Sequence, residues 1–287
     1  MKIIKTISIS KEDGDKRLVD FLLGYNDLSY TKSALKKLFR KSLILVNSKT
    51  VNTNSLIHEE DLVEIFEGEN KVPKTNIKLN IIFEDDYMAV IYKEAGIVVS
   101  GNKHHTIANA LEENLKASSQ EDKLEKAIPV HRLDYPTSGL LIVAKTKKAS
   151  NKLFEMFEKK TIEKTYLAVT AGKMQSQGEI SLEIDSKKAH TIYKVIESVE
   201  SPKFEYLNLV KLSPSTGRRH QLRKHLKSIG HPILGDKEYA DESLDIKKGL
   251  FLHAYKLEFK HPINNKNLSL SANSPAKFKR IFGNASM

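Results

Sequence analysis

Apolar residues recur along this chain at two different spacings, and each spacing predicts a different kind of element. Between residues 29 and 50, Leu35, Leu38 and Phe39 return at helical intervals, while Lys32, Lys36, Lys37, Arg40, Lys41 and Lys49 occupy the remaining positions with no acidic residue among them. The spacing predicts a helix with one apolar and one cationic face, capped at its start by Ser29 or Thr31. Residues 43–46 then read as a short buried strand ending in the turn-forming Asn47, Ser48 and Lys49.

Beyond residue 78 the pattern changes. IIFEDDYMAVIYK, LLIVAKT, KTYLAVTAG, HTIYKVIESV, FEYLNLVKL and FLHAYKLEF are apolar or alternating runs rich in Val, Ile, Leu, Tyr and Phe, so strands dominate there. Helical patterns with one apolar stripe interrupt them at 106–115, 149–159, 221–228 and 275–282. This is a mixed α+β arrangement and not a repeating βαβ array. The polar stretches LKASSQEDKLEK and YADESLDIKK read as surface loops, and EGENKVPKTNIK, with Gly, Pro and Asn and no periodicity, reads as a linker.

A length of 287 residues agrees with about two domains, each able to bury a core. The absence of cysteine excludes disulfides, thiolate zinc sites and a cysteine nucleophile; it fits a reducing compartment, and cytoplasm is the expectation. No apolar stretch has the form of a signal peptide or a membrane span, so neither is expected. The net charge of +11 favours a polyanionic partner, and residues 1–75, with 13 basic and 11 acidic residues, contribute little of it. The uninterrupted cations at 32–41 are nevertheless a less expected pattern for a merely solvated helix face, and they point to nucleic acid.

Two clusters could carry chemistry. In PVHRLDYPTSGLLIVAKT (129–146), His131, Arg132 and Asp134 precede a turn and a buried strand. A carboxylate at a strand entrance, kept ionised by Arg132 or another guanidinium, can serve as nucleophile or base. A structural salt bridge is the commoner use of such a pattern, and the residues alone leave both open. In TGRRHQLRKHLKSIGHPILGD (216–236), Arg218, Arg219, Arg223, Lys224 and Lys227 stand with three histidines and no acid before Asp236. Arg218 and Arg219 fall at the start of the predicted helix, against the favourable dipole direction, so they are expected to face an external anion such as phosphate. No metal is expected: His220 and His225 are five apart, no HExxH occurs, and the surroundings of His104, His105, His220, His225 and His231 are cationic. Nucleotide-binding glycine loops are absent, and HRLD lacks the asparagine of the kinase loop.

Taken in order, HRLDYPTSGLLIVAKT, KTYLAVTAG, TGRRHQLRKHL, GHPILGDKEY and FLHAYKLEFKHP closely resemble the RluA-type pseudouridine synthases over about residues 80–280. The segment from about 15 to 67 resembles the S4-like RNA-binding domain often fused to them. The resemblance implies a mainly antiparallel mixed sheet with flanking helices, the pseudouridine synthase fold, preceded by a small α/β RNA-binding domain. It implies Asp134 as the catalytic aspartate acting on a uridine in RNA: the glycosidic bond breaks, the base rotates, and C5 joins C1′, without cofactor or metal. It also implies that Arg223 pairs with that aspartate and holds its pKa low, that Tyr166 packs against the target base, and that Arg132 enters the space left by the flipped nucleotide. Leu141 and Leu252 would line the pocket or fill the core, with core the favoured role. The chain departs from the family pattern at Tyr135-Pro136, at Arg219 and Lys224, and at YKEAG, which bears on target choice more than on activity.

The expectation is therefore an RNA-binding domain at 15–67, a linker at 68–77 and a catalytic domain at 78–287. Lys32, Lys36, Lys37 and Arg40 would grip RNA, with Arg132, Arg218 and Arg219 at the catalytic cleft. Ribosomal large-subunit RNA is expected over transfer RNA, and a monomer over an oligomer. The competing readings are a non-catalytic RNA-binding or ribosome assembly protein and a DNA-binding regulator; the joint presence of Asp134, Tyr166 and Arg223 speaks against the first.

Overall fold

The computed structural model describes residues 3–25, 28, 30–67, 75–244 and 247–283. Within it the chain divides into two compact units, Met1–Val72 and Pro73–Met287. The candidate cap Ser29 and most of the expected linker lie outside the described residues.

The first unit runs β1 (Ile3–Ser8), α1 (Leu18–Gly24), α2 (Lys32–Arg40), β2 (Ile44–Val46), β3 (Lys49–Thr50) and β4 (Leu62–Phe66). Its antiparallel sheet has the order β1-β4-β2-β3, so the compact unit begins ahead of residue 15. Thr31 caps α2, its Oγ1 accepting from Ala34 N at 3.2 Å. Leu35 and Phe39 are buried while Lys32, Lys36, Lys37 and Arg40 are exposed. The polar pattern therefore became a cationic stripe on a helix held by its apolar face. Asn47 and Ser48 both adopt left-handed backbone (φ 49° and 62°), the requirement of a two-residue hairpin turn between β2 and β3.

The second unit contains β5 (Asn80–Glu84), β6 (Met88–Lys93), α3 (Ile107–Asn114), β7 (Lys123–Pro129), β8 (Ser138–Thr146), α4 (Lys147–Glu158), β9 (Glu163–Ala171), β10 (Gln177–Ile184), β11 (Lys187–Ser201), β12 (Glu205–Pro214), α5 (Gln221–Ser228), β13 (Leu252–Lys260), β14 (Asn267–Ser271) and α6 (Ala276–Phe282). Ten strands form one sheet: β10-β11-β12-β9-β13-β8-β6-β5, with β14 on β13 and β7 on β8. Every pairing is antiparallel except the short contact of β13 with β8. The unit is α+β with a mainly antiparallel mixed sheet, as expected. No described helix is long and apolar enough to cross a membrane.

All nine residues of β8 are buried, and their alternation sorts them onto two faces. Leu140, Ile142 and Ala144 join Leu153 of α4; Leu141 and Val143 join Ile107 and Leu111 of α3. Two loop assignments need correction. The stretch at 115–126 yields its last four residues to β7, because Leu124 turns inward as β7 pairs with β8. The stretch at 239–248 contains a 3-10 turn, Glu242–Leu244, whose Leu244 is buried.

The parallel contact of β8 with β13 depends on one glycine. Gly139 has φ +120°, and a Cβ built there would lie 2.2 Å from the carbonyl oxygen of Ala254. Only a residue without a side chain lets β13 come this close to the start of β8.

Candidate active site

The loop between β7 and β8 carries His131, Arg132 and Asp134, and three contacts fix it. His131 Nε2 accepts from Ile142 N at 3.0 Å, Thr137 N donates to Asp134 O at 3.0 Å, and Gly96 N donates to Tyr135 O at 2.8 Å. Burial, reinforced by nearby Lys164, depresses the His131 pKa to about 4, so the ring is neutral and can accept that amide proton. Behind the loop, buried Lys93 donates from Nζ to the carbonyls of Glu94, Ile97 and Tyr135 at 3.0, 2.8 and 3.3 Å. Burial lowers its pKa to about 8, opposed by the charges of Asp134 and Glu94.

From the other side, α5 presents Arg223, which is 4% exposed. Its Nε and Nη2 donate to Asp236 Oδ2 and Oδ1 at 2.8 and 2.6 Å, and Nη2 also reaches Glu238 at 3.2 Å. Its Nη1 lies 3.9 Å from Asp134 Oδ2. The expected pairing with Asp134 thus exists at long range, while the tight bidentate partner is Asp236. The fork geometry explains this: two parallel donors match one carboxylate, and the remaining nitrogen is left to face Asp134. Burial raises the Asp236 carboxyl, but Arg223 and two backbone amides outweigh it and hold the group below the usual range.

His220, in left-handed backbone at the start of α5, completes the wall. Its Nδ1 lies 2.9 Å from Tyr239 Oη and 3.3 Å from Glu238 Oε1, and its Nε2 lies 3.8 Å from Asp134 Oδ1. Gln221 ties the preceding loop to the sheet, accepting from Thr216 Oγ1 and Arg218 N and donating to His190 O and Thr191 Oγ1. Tyr166 rises from β9 between β12 and β13, paired with Leu212 and Ala254. Burial first, and then the negative charge of Asp134, push its phenol well above the usual range. Tyr166 therefore stays protonated and offers a ring and a donor, not a base.

These elements enclose a cleft of about 650 Å³, with an inner recess of about 110 Å³. Asp134, Tyr166, Arg132 and Arg218 line both; Arg223 and Leu252 line the recess, and Arg219 the cleft. Asp134 is the only carboxylate among the described residues lining either cavity. Leu141 lines neither. It is fully buried on the α3 face of β8, so the pocket assignment is corrected to core. Lys32, Lys36, Lys37 and Arg40 belong to the first unit. Lys93, His220, Asp236, Glu238 and Tyr239 were not singled out from the sequence as site residues. All but Lys93 lie inside the blocks TGRRHQLRKHL and GHPILGDKEY, where nothing in the local spacing shows that Asp236 and Glu238 fold back onto Arg223.

Residues 87–228 match the family model described as RNA pseudouridylate synthase. An uncharacterized RNA pseudouridine synthase from Aquifex aeolicus is 33% identical over 98% of both chains. The chain belongs to the RNA pseudouridine synthase family. Ribosomal large subunit pseudouridine synthase C of Pasteurella multocida is 31% identical over 98% of this chain and 93% of its own. The human protein RNA Pseudouridylate Synthase Domain Containing 4 superposes with a TM-score of 0.56 at 26% identity, covering 69% of this chain and 90% of its own. As a pseudouridine synthase the protein is an isomerase acting on RNA. Such a reaction breaks the C1′–N1 bond, forms a C1′–C5 bond and moves a proton from C5 to N1, a transfer for which a carboxylate can act as acceptor and donor.

Proposed function

We propose that this enzyme isomerises uridine in ribosomal large-subunit RNA with Asp134 as its catalytic carboxylate. The observation that carries the reading is the solitary position of Asp134 in the cleft, between Tyr166, His220 and the free edge of the Arg223 guanidinium. Asp134 is the anion available to support positive charge at C1′ as the glycosidic bond opens, and the base available for the C5 proton. Tyr166 packs against the flipped uracil as a protonated ring, and Leu252 floors the recess. Arg132, Arg218 and Arg219, all exposed at the cleft, hold the flanking RNA backbone. The ribosomal target rests on the names of relatives such as the Pasteurella multocida enzyme, and a cysteine-free chain suits the cytoplasm where that RNA is made.

The test is release of tritium from unmodified large-subunit RNA labelled at uridine C5. We expect release from this RNA and none from equally labelled transfer RNA. Release from transfer RNA alone would overturn the target, and RNA binding without any release would favour an assembly protein.

In the same reading, the first unit is an S4-like RNA grip and its cationic helix is the contact surface. Each neutralised phosphate contributes a slope of about −0.7 to −0.9 in log affinity against log salt. Replacing Lys32, Lys36, Lys37 and Arg40 together by Ala is expected to weaken RNA binding and flatten that slope by about 3. An unchanged slope in a salt titration would remove the helix from the interface.

A further inference from the structure

The residue after Asp134 has no role in the chemistry described above, yet among the described residues it is the most exposed of the large apolar side chains. Tyr135 is 56% exposed and lines the mouth of the cleft. Phe154, the other strongly exposed aromatic among the described residues, sits on α4 and does not line it. A single exposed apolar side chain is ordinary on a protein surface, but an aromatic that lines a cleft offers a flat face that a planar ligand can cover.

Its backbone is held firmly. Tyr135 O accepts from Gly96 N at 2.8 Å and from the buried Lys93 Nζ at 3.3 Å. Gly96, at φ +87°, lies against the phenol: a Cβ built there would be in ordinary contact with Tyr135 Oη at 3.9 Å. Lys103 Nζ stands 5.9 Å from the ring centroid. An aromatic plane with an ammonium over one face, adjacent in sequence to the only carboxylate among the described residues lining the cleft, matches one ligand chemistry: a nucleobase that stacks on the open face while a neighbouring phosphate meets the lysine. Tyr135 and Asp134 line the same cleft, so a base on the Tyr135 ring occupies the same cavity as the uridine at Asp134.

We propose that Tyr135, with Lys103, is a stacking platform for an unpaired nucleotide flanking the target uridine. The proposal rests on the reading of Asp134 as the catalytic group and adds how the enzyme selects the strand around its target. A ring stack acts on binding of the RNA and not on the bond-making at C1′, so its loss raises KM and spares kcat.

The experiment compares wild type with Tyr135→Ala, Tyr135→Leu and Tyr135→Phe in tritium release from large-subunit RNA. The expected result is a KM about 5- to 150-fold higher for the Ala and Leu variants, the worth of one base–aromatic stack, with kcat within about twofold and the Phe variant like wild type. Leu keeps apolar bulk without a π face, so rescue by Leu would mean a packing role and overturn the proposal. A wild-type KM for Tyr135→Ala, a loss confined to kcat, or a Phe variant as impaired as Ala would also overturn it. If wild type itself releases no tritium, the functional reading fails and the platform is judged by binding of a short oligouridylate. There, equal Kd for wild type and Tyr135→Ala overturns it, and a weaker Kd for Ala but not Phe supports it.

Discussion

Asp134→Ala abolishes tritium release while leaving the protein folded: the expected fall in kcat is at least about 10³-fold, within the range that removal of a positioned acid–base group produces. Among the described residues no other carboxylate lines the cleft to take over. Stability should change little, because the Asp134 side chain is 27% exposed and Arg223 keeps Asp236 as its close partner. Asp134→Asn, which keeps the shape and loses the charge, is expected to be as inactive as Ala. The measurement pairs the release assay with thermal unfolding. Release at the wild-type rate by either variant would remove Asp134 from the chemistry, and a large fall in Tm would make its role structural.

The second large effect is on stability. Arg223 and Asp236 are both almost fully buried: truncating Arg223 strands the Asp236 carboxylate inside the protein, and truncating Asp236 leaves the guanidinium only the exposed Glu238 at 3.2 Å and Asp134 at 3.9 Å. Breaking such a pair costs about 3–5 kcal/mol, which for a unit of this size lowers Tm by about 6–20 °C. Asp236→Ala is expected to show this fall by calorimetry and also to lose activity, because the guanidinium is freed to turn onto Asp134 or Glu238. Arg223→Lys should rescue neither property, since a single ammonium cannot make the two parallel bonds at 2.8 and 2.6 Å and still face Asp134. Joint replacement, Arg223→Met with Asp236→Leu, should restore much of the stability without the activity. A Tm for Asp236→Ala within about 2 °C of wild type would show the pair to be dispensable.

Local signals were legible in the sequence wherever the local pattern and the final environment agreed. The cationic face of α2 and its Thr31 cap follow from helical spacing and a side-chain oxygen, both properties of neighbouring residues. The continuous apolar run of β8 announced a strand covered on both faces, which it is. Leu124 was misread because one inward side chain inside a polar stretch shows no period until β8 supplies the partner strand. Leu141 was ambiguous for a related reason: in a strand buried on both faces, the sequence does not say which face looks onto the cleft.

By itself the sequence determined which residue types stand at the site and in what order, an aspartate after HRL, a tyrosine in a strand and an arginine on a helix, and, in the separate first unit, a cationic helix. These follow from covalent neighbourhood and short-range periodicity, which no later packing can alter. Only the tertiary structure decided how charges were shared among segments far apart in the chain. It gave Arg223 to Asp236 first and to Asp134 at arm's length, turned His220 toward Asp134, placed Lys93 beneath the loop, and left Tyr135 facing water at the cleft. The reason is physical: the strength of a charge pair depends on distance, burial and donor geometry, and those are set when β8, β13 and α5 pack, not by where the residues stand in the chain.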